Sequence, residues 1–325
     1  MVKGRAITLV ALLLSLLTLV GCAKAGTPID ATEDELRVIG QAGQTDISYD
    51  EFRFAVLQCR AQLVSEYGEE FLAREDAEEL ILRAVFDNIT FNYAIIALCG
   101  EVGIHSERDG LAEAVQNEMV KTEKALGSRR EYKKFLKENG LTDRLLRFNT
   151  LVDKMQNELY YVYTDDLGII KTSEEDVYGE IQRDFVRTKH IFISHDTKNA
   201  EALASEIYLD LQNGASFDVL LAEYNEDSQM PSEGYCFPRG YMTDDYEILA
   251  YSLRAGQISQ VFEAEDGYYI VRRETIDTAY LLTHFEELSE RYTQYAFLNL
   301  IEEKQAELSF ALNDVGKSIN VLTLE

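Results

Sequence analysis

Apolar residues recur at helical spacing along much of the chain. Phe52, Val56, Cys59 and Leu63 follow one another at intervals of four, three and four, which puts them on one helix face. Leu82, Phe86, Ile89, Tyr93 and Ile96 repeat the pattern. Ile81, Val85, Ile95 and Leu98 widen that stripe, as in a helix packed on several sides, and Gly100 and Gly103 lie where it should stop. Residues 111–126 form a mostly polar third stretch, and Tyr132, Phe135 and Leu136 mark a short fourth helix ended by Asn139-Gly140. Leu145, Phe148, Val152, Met155 and Leu159 give a clean fifth stripe. Ser173-Glu174-Glu175-Asp176 has the form of a capping box opening a helix to about Phe185. Residues 36–47 read as a short hairpin. Far downstream, Phe285, Leu288, Tyr292, Tyr295, Leu298 and Ile301 predict a last long helix reaching about Leu308. A lone terminal helix must bury its stripe against something, so the pattern predicts one helical domain built from both chain ends.

Between residues 186 and 277 the texture changes. Lys189-His190-Ile191-Phe192-Ile193 and Gly267-Tyr268-Tyr269-Ile270-Val271 read as strands. Ala200, Leu203, Ile207 and Leu211 form a helix closed by Asn213-Gly214, and Ser216 stands where it would cap another, running to Tyr224. The predicted class is α+β. A small antiparallel or mixed sheet with short helices (186–277) is inserted into an all-helical domain made of residues 35–185 and 278–325.

The N-terminus decides where such a protein works. Lys3 and Arg5 precede an apolar run from Ala6 to Val20, too short to span a bilayer and built like a signal peptide (residues 1–21). Leu19-Val20-Gly21-Cys22 resembles a lipobox, which makes Cys22 the expected lipid-attachment site, residues 22–34 a lipidated tether, and the outer face of the cell membrane the expected location. An ordinary secretory signal cleaved near Ala25 is the competing reading. No other run is expected to span a membrane. The full 325-residue chain is 46% hydrophobic and 27% charged, with 31 basic against 58 acidic residues and a net charge of −27. General nucleic-acid binding is excluded on that balance. Cys59, Cys99 and Cys236 read as small buried hydrophobes, and the four histidines offer no metal-ligand spacing, so neither metal nor other cofactor is expected.

Six motifs in order carry a family resemblance: Lys189-His190-Ile191; Asn213-Gly214-Ala215-Ser216-Phe217; Glu223-Tyr224-Asn225-Glu226-Asp227-Ser228; Phe237-Pro238-Arg239-Gly240-Tyr241-Met242; Leu253 to Ser259; and Gly267 to Val271. Together they resemble a parvulin-type peptidyl-prolyl isomerase domain. With the lipobox and helical flanks, the whole chain resembles the PrsA-like foldase lipoproteins, relatives of the SurA chaperones. That resemblance implies a mixed sheet with a peptide groove, unfolded secreted proteins as partners, and isomerisation of X-Pro bonds. His190 matches the first histidine of the family's hydrogen-bond network, and Asp227 matches the position facing it. Met242 and Tyr246 match the walls of the proline pocket, with Phe237 as a neighbour. Two positions depart from the family: Gly-Gly is Glu233-Gly234, and the second network histidine is Tyr269. A tyrosine can both donate and accept, so His190, Asp227 and Tyr269 are expected to form a linked polar floor, with activity weakened by the loss of an imidazole. A holding chaperone with little catalysis is the alternative. Homodimerisation is left open.

Each residue also has a duller explanation. Asp227 could close a turn, and Met242 and Tyr246, four apart, could be one face of a core helix. His190 and His195 lie an odd number of residues apart on a strand, which points them to opposite faces and argues against a metal pair.

Overall fold

The computed structural model describes residues 25–106, 110–170 and 173–325. The expected signal peptide (residues 1–21) and the expected lipid-attachment site Cys22 therefore lie outside the described residues. The chain begins with strands β1 (Val38–Ala42) and β2 (Thr45–Ser48), followed by helices α1 (Tyr49–Tyr67), α2 (Ala77–Glu101), α3 (Leu111–Ala125), α4 (Arg129–Glu138) and α5 (Asp143–Tyr161). Next come α6 (Glu174–Asp184), β3 (Val186–Ser194), α7 (Ala200–Gln212), α8 (Phe217–Tyr224), β4 (Tyr235–Phe237) and α9 (Asp244–Ser252). The remaining elements are β5 (Phe262–Glu263), β6 (Gly267–Glu274), α10 (Thr278–Thr283), α11 (Phe285–Ala306), β7 (Phe310–Leu312) and α12 (Asp314–Lys317). Contacts divide the described chain into two units, one of residues 170–296 and one of residues up to 169 together with 297–325.

The second unit is built from both chain ends. Its core gathers Ile39 and Ile47 of the hairpin, Phe52 and Val56 of α1, Ile81, Val85 and Ile89 of α2, and Val321 near the C-terminus. By length and composition α2 is long and apolar enough to cross a membrane, where the sequence reading expected no run after Cys22 to be. In the structure Ile81, Val85, Ile89, Ala94, Ile95, Leu98 and Cys99 of this helix are buried. The unit is not all-helical: β7 adds to the hairpin in a three-stranded antiparallel sheet of order β2-β1-β7. Gly40 permits that pairing, because a Cβ there would lie 2.5 Å from the Ala311 carbonyl oxygen. Arg60 reaches back to the Val321 and Leu324 carbonyls at 3.0 and 2.6 Å and ties the C-terminal tail to α1. Side-chain caps start three helices here, Ser128 accepting from the Glu131 N–H, Thr142 from Leu145 and Asn313 from Gly316, and two in the other unit, Ser173 accepting from Asp176 and Asp277 from Tyr280.

The segment expected to be a loose tether is docked where it is described. Gly26 is buried, with its N–H donating to Glu123 Oε2 at 2.8 Å and its carbonyl accepting from Gln116 Nε2 at 3.0 Å and Arg147 Nη2 at 2.6 Å. Its φ of +80° and a would-be Cβ contact of 2.4 Å with Gln116 leave room for glycine alone.

The first unit contains a four-stranded sheet of order β4-β3-β6-β5. All its strand pairs are antiparallel, so the mixed sheet implied by the resemblance is not found. One face carries Ile191, Ile193 and Ile270 against Ala204 and Ile207 of α7 and Phe217 and Leu220 of α8. The other carries Val186, Tyr269 and Val271 against Phe237, Met242 and the α9 residues Tyr246 and Ala250. The unit is wider than residues 186–277. Tyr178 of α6 meets Phe285 edge-on at 5.2 Å, and Phe185 meets Tyr295 at 6.0 Å. Burial raises the thiol pKa of Cys59 to about 11 and those of Cys99 and Cys236 to about 12, as befits inert core residues.

Candidate functional site

Strand alternation fixes the site. Thr188, His190 and Phe192 of β3 point to the α9 face, and the antiparallel register sets Val271 opposite His190 and Tyr269 opposite Phe192. Tyr235 of β4 stands opposite Thr188. Gly234, with φ +83°, lets the chain enter β4 this closely, since a Cβ would meet the Thr188 carbonyl at 2.2 Å. This glycine is the retained half of the altered pair Glu233-Gly234.

Asp227 reaches His190 because its loop docks on the part of β3 that extends past β4. The Phe192 N–H donates to Asn225 Oδ1 (3.0 Å), the Glu226 N–H donates to the Phe192 carbonyl (2.9 Å), and the Ser194 N–H donates to Glu226 Oε2 (2.7 Å). Asn225-Glu226-Asp227 therefore substitutes for a missing strand partner and aims the carboxylate inward. A turn closed by the Gln229 N–H on Asp227 Oδ1 at 2.8 Å holds it there.

The histidine is 4% exposed and bonded at both ring nitrogens. Nε2 lies 3.1 Å from Asp227 Oδ2, and Nδ1 lies 2.9 Å from the Tyr246 hydroxyl, which is itself 3.0 Å from Thr188 Oγ1. The Tyr235 hydroxyl also donates to Asp227 Oδ2, at 3.0 Å. The bond from His190 is the largest influence on Asp227 and holds its carboxyl well below the usual range, against the opposing effect of burial. Burial pushes the Tyr246 hydroxyl up, and burial followed by the hydrogen bond to Asp227 does the same to Tyr235, so both stay protonated.

The direction of each hydrogen bond follows. An ionised Asp227 only accepts, so Nε2 carries a hydrogen; in the neutral ring Nδ1 then accepts from Tyr246, whose oxygen accepts from Thr188. The chain of donors runs one way, from Thr188 through Tyr246 and His190 to Asp227. Protonating Nδ1 reverses the first two bonds without moving a heavy atom.

Of the residues singled out by sequence, His190 and Asp227 are brought together. Tyr246 joins them through its hydroxyl as well as its ring. Tyr269 does not join the hydrogen-bonded chain. Its hydroxyl donates to Asp266 Oδ2 at 3.0 Å, and only its ring meets His190, edge-on at 5.1 Å. Phe237 is fully buried, packed 6.1 Å from the Tyr246 ring, and so backs the site without surfacing. Met242 belongs to the same apolar cluster, joined by the half-buried Phe192 and Phe262. Its loop is clamped by the buried Glu247 carboxylate, which accepts from the N–H groups of Gly240, Tyr241 and Met242 at 2.7 to 2.8 Å. Sequence reading missed Thr188, Tyr235 and Glu247. The first two were signalled by period-two spacing from His190 and Phe237.

This geometry falls within residues 185–275, which match the family model of the PPIC-type PPIase domain, while residues 2–158 match that of the SurA-like N-terminal domain. The chain thus joins a SurA-like N-terminal region to a PPIC-type PPIase domain, and it is similar to foldase proteins of the PrsA type. It is 30% identical over 206 residues to the foldase protein PrsA of Caldanaerobacter subterraneus subsp. tengcongensis, an alignment covering 60% of this chain and 62% of that relative. It is 24% identical over 313 residues to foldase protein PrsA 2 of Bacillus cereus, covering 95% of this chain and 88% of the other. Among solved structures it is similar to the PrsA peptidylprolyl isomerase of Bacillus anthracis, with 22% identity, 66% of this chain and 94% of that chain covered, and a TM-score of 0.36. The residues that match the PPIC-type PPIase domain are the ones that carry the His190 network.

Proposed function

We propose that the chain is an extracytoplasmic foldase that accelerates cis/trans isomerisation of X-Pro bonds in secreted proteins and holds those proteins while unfolded, anchored to the membrane through lipid on Cys22. The observation that carries the catalytic part is His190, buried and bonded on one side to Asp227 and on the other to Tyr246. Rotation about an X-Pro bond crosses a barrier of about 20 kcal/mol because it breaks amide resonance, and no covalent bond need be cleaved. Catalysis then requires a grip on the prolyl ring and a preference for the twisted amide over both planar forms. Met242, with Phe192 nearby, supplies apolar surface, while the His190 network supplies donors and acceptors that shift without moving heavy atoms. A thousandfold acceleration asks for about 4 kcal/mol of such preference.

The second reading, a holding chaperone with a weak isomerase domain, is favoured by Tyr269, whose hydroxyl is committed to Asp266. A prolyl-peptide exchange assay separates the two. The wild type is expected to accelerate exchange and His190→Ala to lose at least about tenfold of that acceleration, the loss of one charge-assisted hydrogen bond. Wild-type protein that suppresses aggregation of proline-free clients without accelerating exchange overturns the catalytic reading. For the anchor, Cys22→Ser is expected to release the protein from membranes.

A further inference from the structure

α4 is out of keeping with the rest of the chain. In a protein with 31 basic and 58 acidic residues, its ten residues include Arg129, Arg130, Lys133, Lys134 and Lys137. Tyr132 and Leu136 are buried, which turns Arg130, Lys133, Lys134 and Lys137 outward at positions i, i+3, i+4 and i+7 of one face. Lys134 lies 3.8 Å from Glu138, whereas Arg130, Lys133 and Lys137 make no ion pair among the described residues. The acids Glu131 and Glu138 occupy the adjoining flank.

The start of this helix stands beside the docked N-terminal segment. The Thr27 carbonyl accepts from Arg129, the first residue of α4, and the Ile29 N–H donates to Asp143 Oδ2 at 3.2 Å at the start of α5. Gly26 is bound to α3 and α5. Gly26 is four residues on from Cys22, and an extended chain spans at most about 3.6 Å per residue, so they cannot be more than about 14 Å apart. Lipid on Cys22 would hold the region around α4 at the bilayer. Charges elsewhere in the molecule are screened over about 8 Å at physiological salt, so the acidic remainder does not cancel the attraction of a basic stripe at contact.

We infer that the Arg130, Lys133, Lys134 and Lys137 face of α4 binds anionic lipid headgroups and fixes the orientation of the helical unit on the membrane. The inference rests on the lipid-anchor reading only for where the face is held. Its test therefore uses protein without the anchor. Residues 25–325, which contain every described element, are floated with vesicles of phosphatidylglycerol and phosphatidylcholine and with vesicles of phosphatidylcholine alone. Binding to the anionic vesicles, weakened by salt, is expected, with a loss of at least about tenfold in the triple variant Arg130→Glu, Lys133→Glu, Lys137→Glu. A Lys133→Gln, Lys137→Gln variant that melts as the wild type does and also binds less keeps the result independent of folding. Equal binding to both vesicle types, no binding at low salt, binding untouched by these changes, or tighter capture by an acidic peptide than by vesicles overturns it. Such a failure leaves release by Cys22→Ser intact, and so differs from failure of the anchor itself.

Discussion

Asp227 in the parvulin unit and Glu51 in the helical unit each lie beside a tyrosine hydroxyl, yet their protonation is driven in opposite directions. Asp227 accepts from His190, Tyr235 and the Gln229 N–H, and stays ionised. Glu51, in the first turn of α1 and 6% exposed, receives a single 3.3 Å bond from Tyr93, and its Oε1 has no partner among the described residues. The nearby donors are taken by its neighbour Asp50, which accepts from Ser48, Thr142 and Arg144. Burial raises the Glu51 pKa to about 7. The contrast shows that burial alone does not decide the state of a carboxylate. The number of N–H and O–H groups aimed at it does.

The largest effect should come from unmaking the saturated site. Asp227→Ala strands the His190 Nε2–H and the Tyr235 hydroxyl, and is expected to cost about 2–3 kcal/mol at pH 7 along with most exchange activity. Because the folded pKa of Asp227 is depressed, its contribution is complete above the unfolded value of 3.8 and fades as pH falls through the lower folded value. Urea unfolding of both proteins should show the stability gap narrowing from pH 5 to pH 3. A gap that does not change would mean that the donors around Asp227 contribute nothing to keeping it charged.

Glu51 should give the opposite slope. A carboxyl raised from 4.5 to about 7 on folding takes up protons as the chain folds in that window, so the wild type loses stability as pH rises through it. Glu51→Gln is neutral throughout and escapes that loss. The variant should match the wild type near pH 4.5 and exceed it by about 2 kcal/mol at pH 8. Hydrogen exchange in α1 and α2, which pack around this residue, reads the effect directly. Destabilisation at pH 8 would place Glu51 among ionised, satisfied carboxylates and erase the contrast with Asp227.

Much of this was legible in the sequence because it is local. The three-four stripes of α1, α2 and α5 and the capping serine of α6 are written within a few residues, and period two on β3 placed His190 on its face. The non-local features were not legible. β7 is three residues long and exists because Gly40 admits it. Composition made residues 23–34 look loose, whereas the docking of Gly26 depends on Gln116 and Arg147 some ninety and more residues away. At the site, the motifs named His190 and Asp227 but not Tyr235, which period two from Phe237 puts on the right face and the β3–β4 register sets opposite Thr188. Tyr269 shows the limit most clearly. Its hydrogen-bonding capacity suited the vacant histidine position, but a longer side chain carries the hydroxyl past the network to Asp266, at the turn that leads into β6.

That displacement makes Tyr269→Phe the smallest expected change and the sharpest probe of which donors matter. The variant removes a hydroxyl that serves Asp266 and keeps the ring that packs edge-on against His190. Exchange activity should stay within about twofold of wild type, the effect of a half-exposed hydrogen bond outside the reacting network. Tyr246→Phe removes one hydroxyl of equal size, but that hydroxyl joins Thr188 to His190 Nδ1 in a buried site, so its loss should be several times larger. Equal losses in the two variants would return Tyr269 to the hydrogen-bonded chain and make the state of Asp227 depend on more than the donors in contact with it.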